Sequence, residues 1–139
     1  MRLLMLPRYD ELGASSRLRM LQYVPALQRA GLEVAVAPLL TDGYVADLYA
    51  GNVSARKVLR AYGRRLRQLR GARGFDVLWV EKELLPWLPH WLEQLPVPGA
   101  ARVVVDYDDA VFHRYDQHRS GIVRGVLGHK IDAVMRQAD

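Results

Sequence analysis

The 139-residue chain contains no cysteine, which excludes disulfide bridges, cysteine-ligated zinc, iron–sulfur clusters and thiol catalysis. It has no apolar run close to the roughly 20 residues of a membrane-spanning helix. Its start has too few apolar residues before Pro7 for a signal peptide. Hydrophobic residues make up 50% of the chain and charged residues 25%, as in a folded globular domain. We therefore expect a cytoplasmic protein.

Lysine is scarce, and arginine carries most of the positive charge. The formal net charge is +5, and the segment from Arg56 to Arg73 holds eight basic residues and no acidic one. Without those eight charges the rest of the chain would carry −3. The basic character therefore belongs to one segment, and we do not expect a nucleic-acid-binding domain.

Short apolar segments alternate with helical patterns along the chain. We predict strands at 2–6, 32–37, 76–81 and 102–106. We predict helices from about Ser15 to Gly31, within 41–52, and at 55–70, 86–95 and 120–137. Strands that are apolar throughout and alternate with helices are typical of a parallel sheet covered on both faces. The fold class is therefore α/β, a Rossmann-like three-layer α/β/α domain with a mainly parallel sheet.

Local signals refine these helices. Ser15 or Ser16 is expected to cap the first helix, and Pro25 to kink it near Leu21. Its apolar stripe comprises Leu18, Leu21, Val24 and Leu27. Ser54 is expected to cap the basic helix, and Pro89 to start the helix within 86–95.

The densest polar cluster follows the fourth predicted strand. It comprises Asp106, Asp108, Asp109, His113, Asp116 and His118. Ligands of such sheets bind at the carboxyl ends of the strands, so these side chains suit ligand binding, general base chemistry or a hard metal ion. The alternative is a solvated loop whose aspartates cap turns.

Two other loops end at the same edge of the predicted sheet. The first, PRYDELGASSR, contains Gly13, which allows close approach of a phosphate, and is followed by the charges of Arg17 and Arg19. It matches neither the glycine fingerprint of dinucleotide-binding domains nor a P-loop. The alternative is a loop that only connects the strand to a capped helix. Glu81, Lys82 and Glu83 after the third strand line the same crevice or form a solvated turn.

Aromatic and basic side chains suggest further contacts. Trp79 is expected in the core, whereas Trp87 and Trp91 either pack there or stack on a sugar or base. The basic helix has an apolar face of Val58, Leu59, Tyr62, Leu66 and Leu69. Its arginines, Arg60, Arg64, Arg65 and Arg67, suit an anionic membrane or another polyanion, or simply a solvated face.

Together the segments MRLLMLPRYDELGASSRLRMLQYVPALQRAGLEVAVAPLL, DVLWVEKELLPWLP and VVVDYDDA resemble the N-terminal domain of GT-B-fold glycosyltransferases of the group 1 / family 4 type. The resemblance covers the whole chain. It implies a retaining enzyme with two Rossmann-like domains, of which the N-terminal one binds the acceptor and the C-terminal one the nucleotide-sugar. The paired glutamates of the family's donor signature are absent here. We therefore expect residues 1–139 to be the N-terminal part of a longer protein.

The resemblance also implies roles for single residues. Gly13 approaches the donor phosphate, and Asp108 and Asp109 take the place of the family's His-Asp pair, with His113 as a third candidate catalytic residue. Substrate-binding candidates are Gly13, Ser15, Ser16, Arg17, Arg19, Glu81, Lys82 and Asp106. The family uses no metal or other cofactor. The acceptor is a sugar, a lipid-linked molecule or a small molecule, and the enzyme sits in the cytoplasm or at the inner face of the membrane.

Two alternatives come from other classes of protein. A flavodoxin-like or receiver-like module would use the acidic cluster for regulation, although the paired acids after the first strand and the lysine after the last strand that a receiver needs are missing. A membrane or nucleic-acid module would use residues 56–73. Nucleic acid is the less expected of these two partners because the rest of the chain is slightly acidic.

Overall fold

The computed structural model describes residues 1–52, 54–99 and 101–139. In them, the sheet consists of four strands, Arg2–Leu6 (β1), Glu33–Val36 (β2), Val77–Glu81 (β3) and Arg102–Asp106 (β4). The strands lie in the order β2-β1-β3-β4, and every neighbouring pair is parallel. This confirms the predicted Rossmann-like α/β/α fold and places each strand within one residue of its predicted bounds.

Helices connect these strands. The described α-helices are Ala14–Arg19 (α1), Val24–Arg29 (α2), Asp42–Tyr49 (α3), Ala55–Arg70 (α4), His90–Gln94 (α5), His113–Asp116 (α6), Gly121–Leu127 (α7) and Lys130–Gln137 (α8). The bounds of α4 match the prediction, and α3 is the short helix expected within 41–52. Each of these helices is too short or too polar to cross a membrane.

The first predicted helix is divided in two. The chain leaves the α-helix at Met20, passes through a 3-10 turn at Leu21–Tyr23 and resumes as α2, with Pro25 in its first turn. Because proline cannot donate a backbone hydrogen bond, it fits this first turn and produces a break where we predicted a kink. The predicted stripe is wrong at Leu18, which is exposed, whereas Met20 is buried.

Of the three predicted helix starts, the first needs correction and the other two are confirmed in position. Gly13, and not Ser15 or Ser16, is the N-cap of α1, and both serines lie inside the helix. Ser54 precedes α4 as predicted, but its side chain makes no capping hydrogen bond. Pro89 is the N-cap of α5, which is shorter than predicted.

The predicted helix over 120–137 is also two helices, since it breaks at Gly128 and His129 between α7 and α8. A Cβ at Gly128 would overlap the carbonyl oxygen of Arg124, so glycine permits the close backbone approach at this break. The sequence analysis missed α6, a single turn within the acidic loop.

Apolar side chains cover both faces of the sheet. On one face Leu3 and Met5 of β1 pack with Met20 and with Val24 and Leu27 of α2. On the other face a larger cluster joins Leu4, Leu6, Leu78 and Val80 to Leu69 of α4 and to Leu84 and Leu85 after β3. This alternation puts α1 and α2 on one side of the sheet and α4 on the other.

The loops after β1 and β2 continue side by side beyond the sheet. The amides of Leu39 and Leu40 donate to the carbonyl oxygens of Pro7 and Arg8, and the amide of Asp10 donates to that of Leu40, at 3.0 to 3.1 Å. The amide of Leu12 then donates to the carboxylate of Asp42 at 2.8 Å. These bonds hold α3 against the loop that leads into α1.

Candidate functional site

The polar side chains of the site gather where β1 and β3 end side by side. In the sheet, β2 lies on one side of β1 and β3 lies on the other. The direction in which successive strands are added therefore reverses between β1 and β3. Ligands of open α/β sheets bind at such a switch point, outside the carboxyl ends of the strands. We call the side chains brought together here the switch-point cluster, which comprises Ser15, Ser16, Arg19, Glu81, Lys82, Asp106, Asp108 and Asp109.

Glu81, the last residue of β3, organises the cluster. Its carboxylate is buried and accepts hydrogen bonds from the hydroxyls of Ser15 at 2.8 Å and Ser16 at 2.5 Å, and from the amide of Arg8 at 2.8 Å. The hydroxyl oxygen of Ser16 accepts a bond from the amide of Tyr9 at 2.9 Å. The loop after β1 is therefore fastened to β3 through one buried carboxylate.

Ser15 lies between two carboxylates. Its hydroxyl is 2.8 Å from Oε1 of Glu81 and 3.0 Å from Oδ2 of Asp108. A serine hydroxyl carries one proton, so it donates to only one of these oxygens at a time. When the hydroxyl donates to the buried Glu81, Oδ2 of Asp108 is free to accept a hydrogen bond from a ligand hydroxyl.

Lys82 is one of the two cations of the cluster, and Arg19 is the other. Lys82 has a positive φ of 63°, and its ammonium group is 2.7 Å from Asp108 Oδ1 and 3.1 Å from Asp109 Oδ2. Burial disfavours the charged form of Asp108, but the hydrogen bonds from Lys82 and Ser15 outweigh it and lower the pKa of this carboxyl. Burial of Lys82 is likewise outweighed by both aspartates, which raise the pKa of its ammonium group. At neutral pH Asp108 and Lys82 are therefore both charged.

Arg19 joins α1 to the end of β4. Its guanidinium donates to both carboxylate oxygens of Asp106, at 2.6 and 2.8 Å, and to the carbonyl of Tyr107 at 3.2 Å. The hydrogen bond to Asp106 raises the pKa of Arg19. A bidentate pair of this kind holds α1 beside β4 and neutralises the charge that we expected to bind phosphate.

A cavity of about 200 Å³ opens beside Ser15. Tyr9 and Gly13 line it from the loop after β1, and Tyr49 lines it from α3. Tyr49 is 85% exposed, so its ring offers an apolar face to a ligand. Gly13 is itself packed against Tyr9, and a Cβ at this position would overlap the Cβ of Tyr9.

Other predicted site residues lie outside this geometry. His113, on α6, bonds to Asp116 at 3.2 Å and to Gln117 at 2.7 Å, and in the described residues it makes no hydrogen bond to the switch-point cluster. Arg17 donates to the carbonyl of Glu11 at 2.8 Å and so braces the loop before α1. His118 lies against the ring of Trp87, with the ring centroids 5.7 Å apart.

The tryptophans differ in exposure. Trp79 is partly buried and stacks on Tyr23, with ring centroids 6.5 Å apart. Trp87 is 46% exposed and Trp91 is 65% exposed. Trp87 meets the ring of Tyr115 edge to face at 5.3 Å.

The buried and exposed sides of the basic helix differ from those predicted. Leu59, predicted on the buried side, is 74% exposed, whereas Arg65 is only 1% exposed. Arg65 donates to the carbonyl of Pro7 at 2.9 Å, and burial lowers the pKa of its guanidinium to about 9. Arg65 therefore cannot serve as the surface contact that we predicted, while Arg60 and Arg67 do lie exposed.

The sequence analysis missed a second, fully buried polar network. Glu83, placed in the crevice or in a solvated turn, instead accepts from the hydroxyl of Tyr115 at 2.6 Å and from Lys130 at 2.8 Å. Lys130 is also 2.7 Å from Glu93. The only sequence signal for this network was a lone lysine inside the apolar pattern of the last helix, because its partners come from three separate segments.

In the described part of the chain, no group of three or more histidine, aspartate or glutamate side chains is arranged to hold a metal ion. Comparison of the chain with protein-family models, with curated proteins and with solved structures finds no match.

Proposed function

We propose that this chain is the acceptor-side, N-terminal half of a GT-B-fold glycosyltransferase. In this proposal the switch-point cluster binds a sugar, lipid-linked or small-molecule acceptor, and a second domain holds the nucleotide-sugar donor. The observation that carries the proposal is the Ser15 hydroxyl, which Glu81 and Asp108 share at the carboxyl ends of the strands. The exposed ring of Tyr49, which lines the same cavity as Ser15, suits a polyhydroxylated ligand with one apolar face.

In the proposed reaction the cluster aligns an acceptor hydroxyl with the anomeric carbon of the donor. Asp108 is ionised and accepts a hydrogen bond from that hydroxyl, and Asp109, whose side chain is 58% exposed, is the second carboxylate within reach of a ligand. Lys82 holds both aspartates in place. Fixing the hydroxyl in this way lowers the entropic part of the barrier. Stabilisation of the departing diphosphate falls to the donor domain, because Arg19 is already paired.

Ligand-observed NMR tests the proposal on residues 1–139. We expect monosaccharides or polyols to bind weakly and saturably, and Ser15→Ala to abolish the signal. Ser120→Ala is the matched control, because Ser120 caps α7 without a side-chain hydrogen bond. Absence of binding to every sugar tested, by a chain whose circular dichroism shows it folded, would contradict the proposal.

The division of labour between the two domains has its own test. We expect residues 1–139 alone to give no transfer from any nucleotide-sugar, and robust turnover by this chain alone would refute that division.

A change in tryptophan fluorescence on adding Mg²⁺, without any sugar binding, would instead favour the receiver-like alternative.

A second candidate function is peripheral contact with an anionic membrane through α4. The exposed Leu59 lies on the outer side of this helix among exposed arginines, which include Arg56, Arg60, Arg67 and Arg70. An apolar side chain ringed by cations is typical of a helix that lies on an anionic bilayer. Sedimentation with anionic vesicles should capture the wild type, and Leu59→Glu should weaken that capture.

A further inference from the structure

A second cavity, of about 220 Å³, lies between α3 and α4 on the other flank of α3 from the switch-point cluster. Three cations line it, Lys57, Arg60 and Arg64, together with Thr41 and Tyr44. Three basic side chains around one small concave space form a site for an anion, because the cavity walls reduce screening by water.

The contacts within the cavity leave positive charge uncompensated. Lys57 is paired with Asp47 of α3. One terminal nitrogen of the Arg64 guanidinium donates a hydrogen bond to the carbonyl of Leu39 at 2.7 Å. In the described residues Arg60 makes no hydrogen bond or ion pair, and Asp47 is the only acid that contacts any of the three cations.

Arg65 adds a fourth positive charge behind the cavity wall. It lies one helical turn beyond Ala61, which lines the cavity, and its guanidinium is buried. Within residues 1–52, 54–99 and 101–139, its Nε and one terminal nitrogen have no hydrogen-bond partner, and no carboxylate pairs with it. Even with its pKa lowered to about 9, this group is charged at neutral pH. Its field favours an anion in the neighbouring cavity.

Neutral donors complete the cavity. Thr41 precedes α3, and its hydroxyl makes no capping hydrogen bond, so it is available to a ligand. The Asp42 carboxylate accepts from the amide of Leu12 and is not among the cavity's lining groups. Guanidinium groups that converge beside hydroxyls match the geometry of phosphate oxygens.

We propose that this cavity binds a phosphate monoester, with Arg60 and Arg64 as the principal donors and Lys57 as the third cation. Its volume suits a phosphate with a small polar substituent, either a free metabolite or the headgroup of an anionic lipid. This site is separate from the switch-point cluster and does not depend on sugar transfer.

Amide chemical-shift titration with glycerol 3-phosphate, at constant ionic strength near neutral pH, tests the site. We expect saturable shifts at Thr41, Gly43 and Tyr44. Arg60→Gln should weaken the apparent affinity by about tenfold, as expected for a lost charged hydrogen bond. Arg64→Gln should do the same, and Arg64→Lys, which keeps the charge, should retain part of the affinity if the variant is folded.

Arg29→Gln is the matched control, because Arg29 is exposed on α2, makes the same change in net charge and does not line the cavity. Equal weakening by Arg60→Gln and Arg29→Gln would mean nonspecific attraction and would overturn the proposal, as would shifts that do not saturate.

Vesicles of phosphatidylcholine with phosphatidic acid form the second arm. Capture that Arg60→Gln abolishes and Arg29→Gln does not, without binding of glycerol 3-phosphate, would identify a lipid headgroup as the source of the phosphate. Absence of both kinds of binding would overturn the proposal.

Discussion

At Glu81 a carboxylate lies almost wholly out of water, held by two hydroxyls and one amide, and no cation in the described part of the chain is bonded to it. A buried carboxylate is tolerated only when its oxygens accept enough hydrogen bonds to replace those lost to water. Ser15 and Ser16 meet this need on α1, and this explains why serines that look like helix caps in the sequence lie inside the helix.

Ser16→Ala should destabilise the protein by roughly 1 to 3 kcal/mol, because it removes one of the three hydrogen bonds to the buried Glu81 carboxylate and the partner of the Tyr9 amide. Chemical denaturation measures this free energy of unfolding. Ser120→Ala, which removes no such bond, should change it by less than about 0.5 kcal/mol. Equal effects of the two substitutions would contradict the role assigned to Ser16.

Glu93 gives the stability a pH dependence. Burial raises its pKa to about 7, because desolvation of the carboxylate, with the added charge of nearby Glu83, outweighs the Lys130 ammonium at 2.7 Å. The folded state thus binds more protons than the unfolded chain between the ordinary glutamate pKa of 4.5 and about 7. The contribution of Glu93 to the free energy of unfolding therefore falls as pH rises through that window.

Urea unfolding at a series of pH values tests this prediction. Glu93→Gln should flatten the slope between those two pKa values, while Glu11→Gln, at an exposed position, should keep the slope of the wild type. If the free energy of unfolding of Glu93→Gln still falls with pH as steeply as that of the wild type, a group other than Glu93 causes the pH dependence.

At the scale of elements, α4 contains an avoidable weakness at Gly63. A Cβ added there meets no atom within 4 Å, so alanine fits without displacing a neighbour. Gly63→Ala should raise the free energy of unfolding by roughly 0.5 to 1 kcal/mol, because glycine loses more backbone entropy in a helix.

Gly13→Ala is the same substitution at a crowded position. The added Cβ overlaps Tyr9, so we expect a loss of about 1 to 3 kcal/mol and a displaced loop before α1. Thermal unfolding of both variants checks that Gly63→Ala stabilises the protein and that Gly13→Ala destabilises it. Stabilisation by Gly13→Ala would show that the loop is not packed as described.

Periodicity predicted the elements well because it reflects local burial. The 2–6 and 102–106 strands and the 55–70 helix were found at their predicted bounds. The prediction failed at Arg65 and Leu59, because it assigned the faces of α4 by residue type. Arg65 lies four residues from the buried Ala61 and from the buried Leu69, so helical spacing places it on the buried face, where the carbonyl of Pro7 accepts its hydrogen bond.

At the scale of the whole molecule, the topology brings the site together. The order β2-β1-β3-β4 puts the ends of β1 and β3 side by side, and this joins Ser15, Glu81, Lys82 and Asp108 through hydrogen bonds and an ion pair in one crevice. It did not bring His113 into that crevice, since α6 carries this side chain to Asp116 and Gln117. The Glu83 network was unpredictable because it joins three segments that meet only in the folded chain.

The most direct test of the central claim is an amide chemical-shift map of residues 1–139 titrated with the sugars and polyols that bind in ligand-observed NMR. We predict that the perturbed amides cluster around Ser15, Tyr49, Lys82 and Asp108, and that Asp108→Asn weakens the binding. A map that leaves these amides unperturbed, or that centres on another part of the folded chain, would contradict the assignment of the switch-point cluster as the acceptor site.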